Sequence, residues 1–264
     1  MIRDIIVANT ENFRKILLLA RADQRRKNRT NDLGMFWAIA KPLMYMLMFY
    51  FAISFGFRSS KNIDGLHVPY YVWLTTGIAA WFYIQALLTG GAGYFNRNKK
   101  LLNGSHFPIT AVPMIAVLSE LYVHLITMAF VIILAFFLGA RPNVYWLQLP
   151  LIIFINIVFL YFWALMTALL NILSADIMSF IRSIKPAFFW LSGILFNSRA
   201  TPRKIFRLNP ITFIVEGYRD SLCFDMWIWE DHAALKGFLF VMVLLLLFTG
   251  LLYHRLKDRV PELI

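Results

Sequence analysis

The chain has 264 residues, of which 60% are hydrophobic and only 15% are charged. Soluble domains are typically about 45–50% apolar and about 25% charged, so this composition excludes an ordinary soluble enzyme, and the single cysteine excludes a disulfide-stabilised scaffold. The net charge of +12 would suggest a nucleic-acid partner in a soluble protein. In a membrane protein it indicates basic loops that face anionic lipid, so we expect no nucleic-acid partner.

The N-terminal residues 1–34 are basic and predict a cytoplasmic tail. The apolar run from Ile16 to Ala20 is too short for the core of a secretory signal peptide, so we expect the first membrane span to be an uncleaved anchor. Four apolar residues of the tail recur at the i, i+3, i+4 and i+7 spacing of a helix: Phe13, Ile16, Leu17 and Ala20. We therefore predict an amphipathic helix on the inner leaflet, which either only anchors the chain or takes part in gating or partner binding.

Six apolar segments predict an all-α integral membrane protein with one membrane domain at residues 35–254 and a short cytoplasmic tail at 255–264. A membrane span needs roughly 20 mostly apolar residues. We place the spans at residues 35–57, 70–92, 112–138, 146–173, 177–197 and 237–254. The fifth is the least regular, because only 13 uncharged residues separate Lys185 from Arg199. Between the fifth and sixth spans, residues 208–229 hold two apolar stretches that are too short to cross alone. They predict a re-entrant or interfacial helical hairpin.

The distribution of basic residues predicts that both termini are cytoplasmic. Six spans place the termini on one side, with 17 Lys and Arg residues on that side and 9 on the other. Because cytoplasmic loops are enriched in positive charge, this orientation is favoured. The exception is an outer basic cluster, which a five-span topology would place inside: Arg199, Arg203, Lys204 and Arg207. This cluster offers donors for a phosphate group, or it anchors the chain to lipid headgroups.

The loop between the second and third spans predicts a short helix from Arg97 to Asn103, with Gly104 as its stop. Basic and apolar residues are adjacent in it: Arg97, Lys99, Lys100, Leu101 and Leu102. A helix of this kind can dock into a groove on a cytoplasmic partner, whereas the alternative is a basic loop without a partner.

Six aromatic residues, which we call the path aromatics, are candidates for a wide path through the membrane. They are Trp81, Phe82, Tyr83, Trp163, Phe189 and Trp190. Their flat faces suit sugar rings or a lipid chain, although such residues are equally typical of helix packing and of interfacial belts.

No constellation of residues in the sequence predicts catalysis, ATP binding or a metal site. The patterns GxxxxGK[ST] and GxSxG are absent. Glu120 and His124 share a helix face in the third span, where ionisable groups are functional candidates. However, the zinc motif HExxH is absent, and a structural hydrogen-bonded pair is the alternative. We therefore expect no catalytic residue, no metal ion and no cofactor in this chain.

Four places in the sequence carry a likeness to a known family. They are Leu33 to Trp37 with Lys41-Pro42-Leu43, Lys99 to Leu102 with Phe107-Pro108, Phe188 to Phe196, and Asn209-Pro210-Ile211-Thr212 with Glu216 and Arg219. Together they resemble the membrane subunits of type-2 ATP-binding-cassette exporters of cell-surface polysaccharides, over nearly the whole chain. Within this family the likeness is greatest to wall teichoic acid exporters of Gram-positive bacteria, with O-antigen and capsule exporters as close relatives.

The resemblance implies a plasma-membrane homodimer that works with two copies of a separate ATPase, and ATP and Mg would bind to that partner. The implied substrate is a polymer linked through diphosphate to an undecaprenyl-type lipid, moved from the inner to the outer leaflet. Residues 97–103 would be the coupling helix, and the hairpin would lie outside, which favours six spans. A structural role is implied for Asn209, Pro210, Glu216 and Arg219. The alternatives are an exporter of a drug or small lipid and, less favoured, a stand-alone membrane enzyme that acts on polyprenyl phosphates.

Overall fold

The computed structural model describes residues 2–29, 34–56, 63, 65–104, 107–199, 205–257 and 260, and within these residues the chain is helical without β-strands. The α-helices are α1 (Ile2–Glu11), α2 (Phe13–Arg29), α3 (Met35–Gly56), α4 (Tyr70–Gly90), α5 (Tyr94–Arg97), α6 (Lys99–Gly104), α7 (Ala111–Phe137), α8 (Leu149–Leu173), α9 (Asp176–Leu191), α10 (Ile205–Leu208), α11 (Pro210–Arg219) and α12 (His232–Leu256). A 3-10 helix at Val144–Gln148 leads into α8, and a π-helical turn at Asp220–Phe224 continues α11.

Four helical segments of the described residues are long and apolar enough to cross a membrane. They are α4, α7, Val144–Leu173 (which contains α8) and α12. These segments lie where the second, third, fourth and sixth spans are predicted.

The positions of the predicted first and fifth spans are occupied by α3 and α9. The structure ends α9 at Leu191, so its 16 residues cover about 24 Å, less than the roughly 30 Å of a bilayer core. The chain turns at Gly193, whose φ of +66° lies in the left-handed region that favours glycine. The helix thus ends six residues before the predicted end at residue 197, and the crossing of the membrane by α3 and α9 stays a prediction.

The central helix is α4, which packs against α3, α7, α8, α9 and α11. Small residues make these approaches close. Gly91, which follows α4, lies so near α8 that a Cβ atom there would be 2.9 Å from the Cα atom of Ala164. Residues 72–81 of α4 are all buried, so the middle of this helix belongs to the core.

The predicted tail helix corresponds to α2, which lies against the beginning of α7. Ile16 and Ala20 are buried in a small cluster with Ala111 and Ile115 of α7. Phe13 and Leu17 of the predicted apolar stripe remain exposed. The stripe is thus divided, with one half packed on the protein and the other half available to lipid.

The region of the predicted re-entrant hairpin has one substantial helix, α11. The chain leaves the π-helical turn at Asp225, which has a φ of +52°, and no further helix forms before α12. The second apolar stretch, from Leu222 to Trp229, is thus mostly non-helical. Re-entry of this region into the membrane stays a prediction.

Candidate functional site

A groove lined by aromatic side chains lies between α3, α4 and α9 and has a volume of about 200 Å³. Four of the six path aromatics line it: Trp81, Phe82, Phe189 and Trp190. The ring centroids of Trp81 and Phe189 are 5.5 Å apart, and those of Tyr45 in α3 and Phe82 are 5.2 Å apart. We call this the aromatic groove. Its flat walls are suited to sugar rings or an alkyl chain.

The other two path aromatics have different surroundings. Tyr83 lines the neighbouring cavity, where its hydroxyl donates to the carbonyl of Val117 at 3.2 Å. Trp163 lies on α8, donates through Nε1 to the carbonyl of Leu88 at 3.5 Å and packs edge-on against Phe188. Trp163 therefore supports α4 and α9 from the side of α8.

Two further cavities continue the aromatic groove and are lined by basic residues. One, of about 480 Å³, is bordered by α2, α3, α4 and α7 and includes Lys27, Lys41 and Lys185. The other, of about 670 Å³, lies at the loop that precedes α6 and includes Arg97, Arg182 and Lys185. Lys185 also lines the aromatic groove, so it contributes to the groove and to both basic cavities. The arrangement can hold an anionic group at its basic end and a ring or chain at its aromatic end.

Sequence reasoning missed Lys41 and Lys185 as a pair of candidate site residues. A signal was present, because each is a cation within an otherwise apolar segment and each directly precedes a proline, Pro42 and Pro186. Ionisable residues within membrane segments are functional candidates by default.

A buried polar cluster joins the tail helix to the loop and to the third predicted span. The ammonium of Lys27 is 2.8 Å from both Asp23 and Glu120, and it donates to the hydroxyl of Tyr94 at 2.9 Å. The same hydroxyl donates to Asp23 at 2.9 Å. We call these four residues the tail cluster. It connects α2, α5 and α7.

The protonation states in the tail cluster follow from its burial and charges. Burial raises the pKa of Tyr94 to about 12, so its hydroxyl stays a donor at neutral pH. Burial also opposes ionisation of Asp23, but the ammonium of Lys27 outweighs this and lowers the pKa of that carboxyl. Burial alone would lower the pKa of Lys27, yet the carboxylate of Glu120 and the rest of the cluster raise it. At neutral pH Lys27 is thus a cation and Asp23 a carboxylate, and the two form an ion pair.

Glu120 and His124 share a face of α7 but bind different partners. Glu120 belongs to the tail cluster, whereas Nε2 of His124 is 2.9 Å from the hydroxyl of Tyr218 in α11. The His124 ring also stacks on Tyr83, with 4.7 Å between centroids. Each residue therefore ties α7 to a different helix, and the two do not form a pair with each other.

The Asn-Pro pair of the family motif begins α11. The side chain of Asn209 accepts a hydrogen bond from the backbone N–H of Ile211 at 3.0 Å, and Pro210 occupies the first helical position. This is the expected chemistry of a helix start, since asparagine caps a free donor and proline has none to lose. The Asn209 amide also donates to the carbonyl of Leu191 at 3.0 Å, which fixes α11 to the end of α9.

The Glu-Arg pair of the motif fastens the other end of α11. Arg219 is fully buried, and its guanidinium donates to the carbonyls of Gly193 and Ile194 at 2.7 Å and to Glu216 at 3.0 Å. The guanidinium also lies over the ring of Trp73 in α4, 3.5 Å from its centroid. Arg219 therefore joins α4, α11 and the turn after α9.

The outer basic cluster is described only in part. The guanidinium of Arg199 forms ion pairs with Asp220 and, at 3.7 Å, with Glu216. Arg203 and Lys204 lie outside the described residues, and the side chain of Arg207 is also outside them. Arg199 is thus engaged with carboxylates of its own chain, and its contact with a phosphate or headgroup stays a prediction.

The predicted coupling helix is divided in two. Arg97 ends α5, where its guanidinium donates to the carbonyl of Gly90 at 2.6 Å, and α6 begins only at Lys99 after a break at Asn98. Leu101 and Leu102 are half-buried and pack on the core of this chain, whereas Lys99 is exposed. The side chain of Lys100 is not among those described. Arg97 and Lys99 are therefore the predicted coupling residues that the structure leaves accessible.

Among the residues that the structure describes, no three His, Cys, Asp or Glu side chains are close enough to hold a metal ion. Cys223 is fully buried beside Thr76, with Sγ 4.0 Å from the threonine hydroxyl.

Comparison with known proteins matches the chain over most of its length. The sequence model of a family described as ABC-2 type transporter matches residues 14–223. Two similar proteins, both described as O-antigen export system permease protein RfbA of Klebsiella pneumoniae, are 24% and 23% identical. The first alignment covers 92% of this chain and 93% of the relative, and the second covers 96% and 95%.

Proposed function

Because this chain belongs to the ABC-2 type transporter family, we propose that it is the membrane subunit of an ATP-driven exporter of a lipid-linked polysaccharide. The chain is a multi-pass membrane protein of helical architecture. We propose that both termini are cytoplasmic, that two copies form a homodimer and that two copies of a separate ATPase bind ATP and Mg. The chain itself then needs no catalytic site.

The observation that carries this proposal is the continuous groove that runs from basic to aromatic residues. A polymer joined to a lipid through diphosphate has an anionic group, sugar rings and an alkyl chain. The two basic cavities share Lys185, and Lys41 lines one of them while Arg97 and Arg182 line the other. They suit the anionic group, and the aromatic groove suits the rings and the alkyl chain. The near full-length similarity to two O-antigen export permeases supports the same substrate class.

Coupling to the ATPase is proposed to pass through α5 and α6. Closure of the ATPase dimer on ATP would move this loop, which contacts the tail helix and α7 through Tyr94 and Leu101. Movement there would widen the groove between α3, α4 and α9. Transmission of this kind requires that the membrane subunit has one state with a narrow groove and one with a wide groove. The two states must differ in their contacts with the ATPase and with the substrate.

The identity of the polymer is open between two related classes. The names of the relatives favour O-antigen, whereas the sequence motifs resemble those of wall teichoic acid exporters, which would imply a Gram-positive source. Both classes share a diphosphate link to an undecaprenyl-type lipid, so the proposed mechanism is the same for either.

The test of the proposal is reconstitution. The chain is purified with the ATPase that co-purifies with it, inserted into liposomes, and supplied with lipid-linked O-antigen or lipid-linked teichoic acid on the side that exposes the ATPase. We expect ATP-dependent protection of one polymer from an enzyme that degrades it outside the liposomes. Failure to transport either polymer, in a complex that hydrolyses ATP, would contradict polysaccharide export and favour a drug or small lipid. Absence of any co-purifying ATPase would contradict the transporter assignment.

A further inference from the structure

Lys41 and Lys185 are two cations that line one cavity and have no anionic partner in the described part of the chain. Lys41 belongs to α3 and Lys185 to α9, and both border the cavity of about 480 Å³. Among the described residues, no ion pair or hydrogen bond involves either ammonium group. Lys185 is half-buried and Lys41 is exposed at the edge of the cavity. Both lie within segments that are predicted to span the membrane, where cations are normally paired.

The charge of this cavity is positive even after its internal ion pair is counted. Its lining includes three lysines and one carboxylate, Lys27, Lys41, Lys185 and Glu120, with a formal sum of 3 − 1 = +2. Lys27 is 2.8 Å from both Glu120 and Asp23, and Asp23 is also 2.8 Å from Arg26, so these four charges cancel. The two charges that remain are those of Lys41 and Lys185, and they call for an anion from outside the chain.

The position of Lys185 along α9 is a further reason to expect an anionic partner. It lies nine residues after Asp176, the first residue of α9, which corresponds to about 14 Å along the helix. In the predicted topology the fifth span begins at residue 177, so Lys185 lies within this span, near its cytoplasmic end. An ammonium group at such a depth is unfavourable unless it is hydrated or bound to an anion.

The surroundings of Lys185 indicate that the anion has an apolar neighbour. Lys185 also lines the aromatic groove, next to Pro186, Phe189 and Trp190. A small inorganic anion would leave the aromatic groove unfilled. An anionic headgroup with a chain or a sugar attached would occupy both the cavity and the groove.

We propose that Lys41 and Lys185 form a binding site for the diphosphate group of a lipid-linked substrate at the inner leaflet. A diphosphate diester carries one negative charge on each phosphate, which matches the two unpaired ammonium groups, and lysine binds phosphate as a point charge. The inference rests on the proposed function, because that function supplies a lipid diphosphate. The competing source of the same chemistry is the single phosphate of an ordinary anionic lipid.

The experiment measures binding of radiolabelled undecaprenyl diphosphate to the whole complex in phosphatidylcholine nanodiscs. We expect Lys41→Gln and Lys185→Gln each to weaken binding about tenfold, the loss of one charge-assisted contact. The control Lys15→Gln removes an exposed lysine of α2 that does not line the cavity, and it should bind like the unchanged protein. Lys41→Arg and Lys185→Arg keep the charge and should retain most of the affinity, which separates loss of charge from loss of fold.

Several results would overturn the assignment. Unchanged affinity for undecaprenyl diphosphate in both glutamine variants would overturn it. The same would follow if Lys15→Gln or the arginine variants weakened binding as much as the glutamine variants do. Competition by phosphatidylglycerol at the same concentration as the diphosphate would identify a general anionic-lipid site instead.

Failure of this site is distinguishable from failure of the proposed function. If the unchanged complex does not export polymer but still binds diphosphate through both lysines, the proposed function is wrong and the site stands. If export proceeds and the double variant Lys41→Gln, Lys185→Gln binds and exports normally, the site is wrong and the function stands.

Discussion

Arg219 is the residue on which the packing around α11 depends most. It is fully buried, its guanidinium has carbonyl partners on the turn after α9, and it lies over Trp73 of α4. The planar guanidinium makes these contacts together, which an ammonium group cannot do. Glu216 and Arg219 are three residues apart, a spacing that permits an ion pair along one helical turn, and Glu216 is a partner at 3.0 Å. The carbonyl partners were beyond sequence reasoning, because they lie about 25 residues earlier in the chain.

The first prediction concerns the geometry of Arg219. Arg219→Lys keeps the charge but loses at least one carbonyl contact and the stacking on Trp73, so we expect a loss of about 3 kcal/mol in stability. The measurement is the apparent melting temperature of the purified protein in detergent. Arg255→Lys, at an exposed position of α12, should leave that temperature unchanged. An equal melting temperature for both variants would contradict the role assigned to Arg219.

The second prediction concerns the space that Arg219 occupies. A Cβ atom on Gly77 of α4 would clash with Nη2 of Arg219, whereas one on Gly90 of the same helix would meet only ordinary contacts. Alanine is favoured over glycine in a helix by about 1 kcal/mol, so Gly90→Ala should be neutral or stabilising. Gly77→Ala should lower the melting temperature despite that preference, because it displaces a guanidinium held by two carbonyls. A melting temperature that rises equally in both variants would show that Arg219 moves aside freely.

At the scale of the helices, hydropathy predicted the positions of six long helices, and local chemistry set their ends. The uncharged runs placed α4 and α7 to within one or two residues at each end. The end of α9 was harder, because the apolar run continues to Phe196 while Gly193 turns the chain in a left-handed conformation. An apolar run specifies burial, whereas the end of a helix depends on single backbone positions.

The packing of the tail helix α2 on α7 could not be predicted from the sequence. The apolar stripe predicted a surface for lipid, and Ile16 and Ala20 instead pack on α7. The contact also uses Asp23 and Lys27, whose partners Tyr94 and Glu120 lie more than 65 residues away in the chain. Charged residues on a helix are ordinarily solvated, so their pairing becomes evident only once the helices are placed.

The third prediction separates structural from partner-facing residues in α6. Leu101 packs on the cluster formed by α2 and α7, so Leu101→Asp should lower the melting temperature in addition to weakening export. Lys99 is exposed, so Lys99→Glu should reduce the amount of ATPase that co-purifies and leave the melting temperature unchanged. Lys15→Glu, an exposed basic residue of α2, is the control for a general charge effect. Normal co-purification with Lys99→Glu would contradict a coupling role for this face of α6.

Across the whole molecule, the aromatic groove and the loop formed by α5 and α6 are joined through α4 and the tail cluster. The tail cluster fixes α2, α5 and α7 to each other, and Arg97 ties the end of α5 to the last turn of α4. Because α4 also forms a wall of the aromatic groove, a shift of the loop acts directly on one wall. The opposing walls, α3 and α9, each contain a proline that removes a helical hydrogen bond. The hydrogen-bond ladder is therefore interrupted in α3 and α9, whereas α4 is the wall that Arg97 ties to α5.

The last prediction is that export requires α3 and α9 to separate. Phe49 of α3 and Phe189 of α9 are half-buried, and their ring centroids are 5.9 Å apart across the groove. Cysteines at both positions, joined by a short reducible thiol crosslinker, should abolish polymer export while ATP hydrolysis by the partner continues, and reduction should restore export. Cys223 is fully buried and should not react. The matched control joins cysteines at Tyr145 and Trp227, which are also half-buried, with ring centroids 5.1 Å apart, and which lie away from the groove. Normal export with the 49–189 crosslink in place would mean that the substrate does not pass between these helices, whereas equal inhibition by both crosslinks would point to a general loss of flexibility.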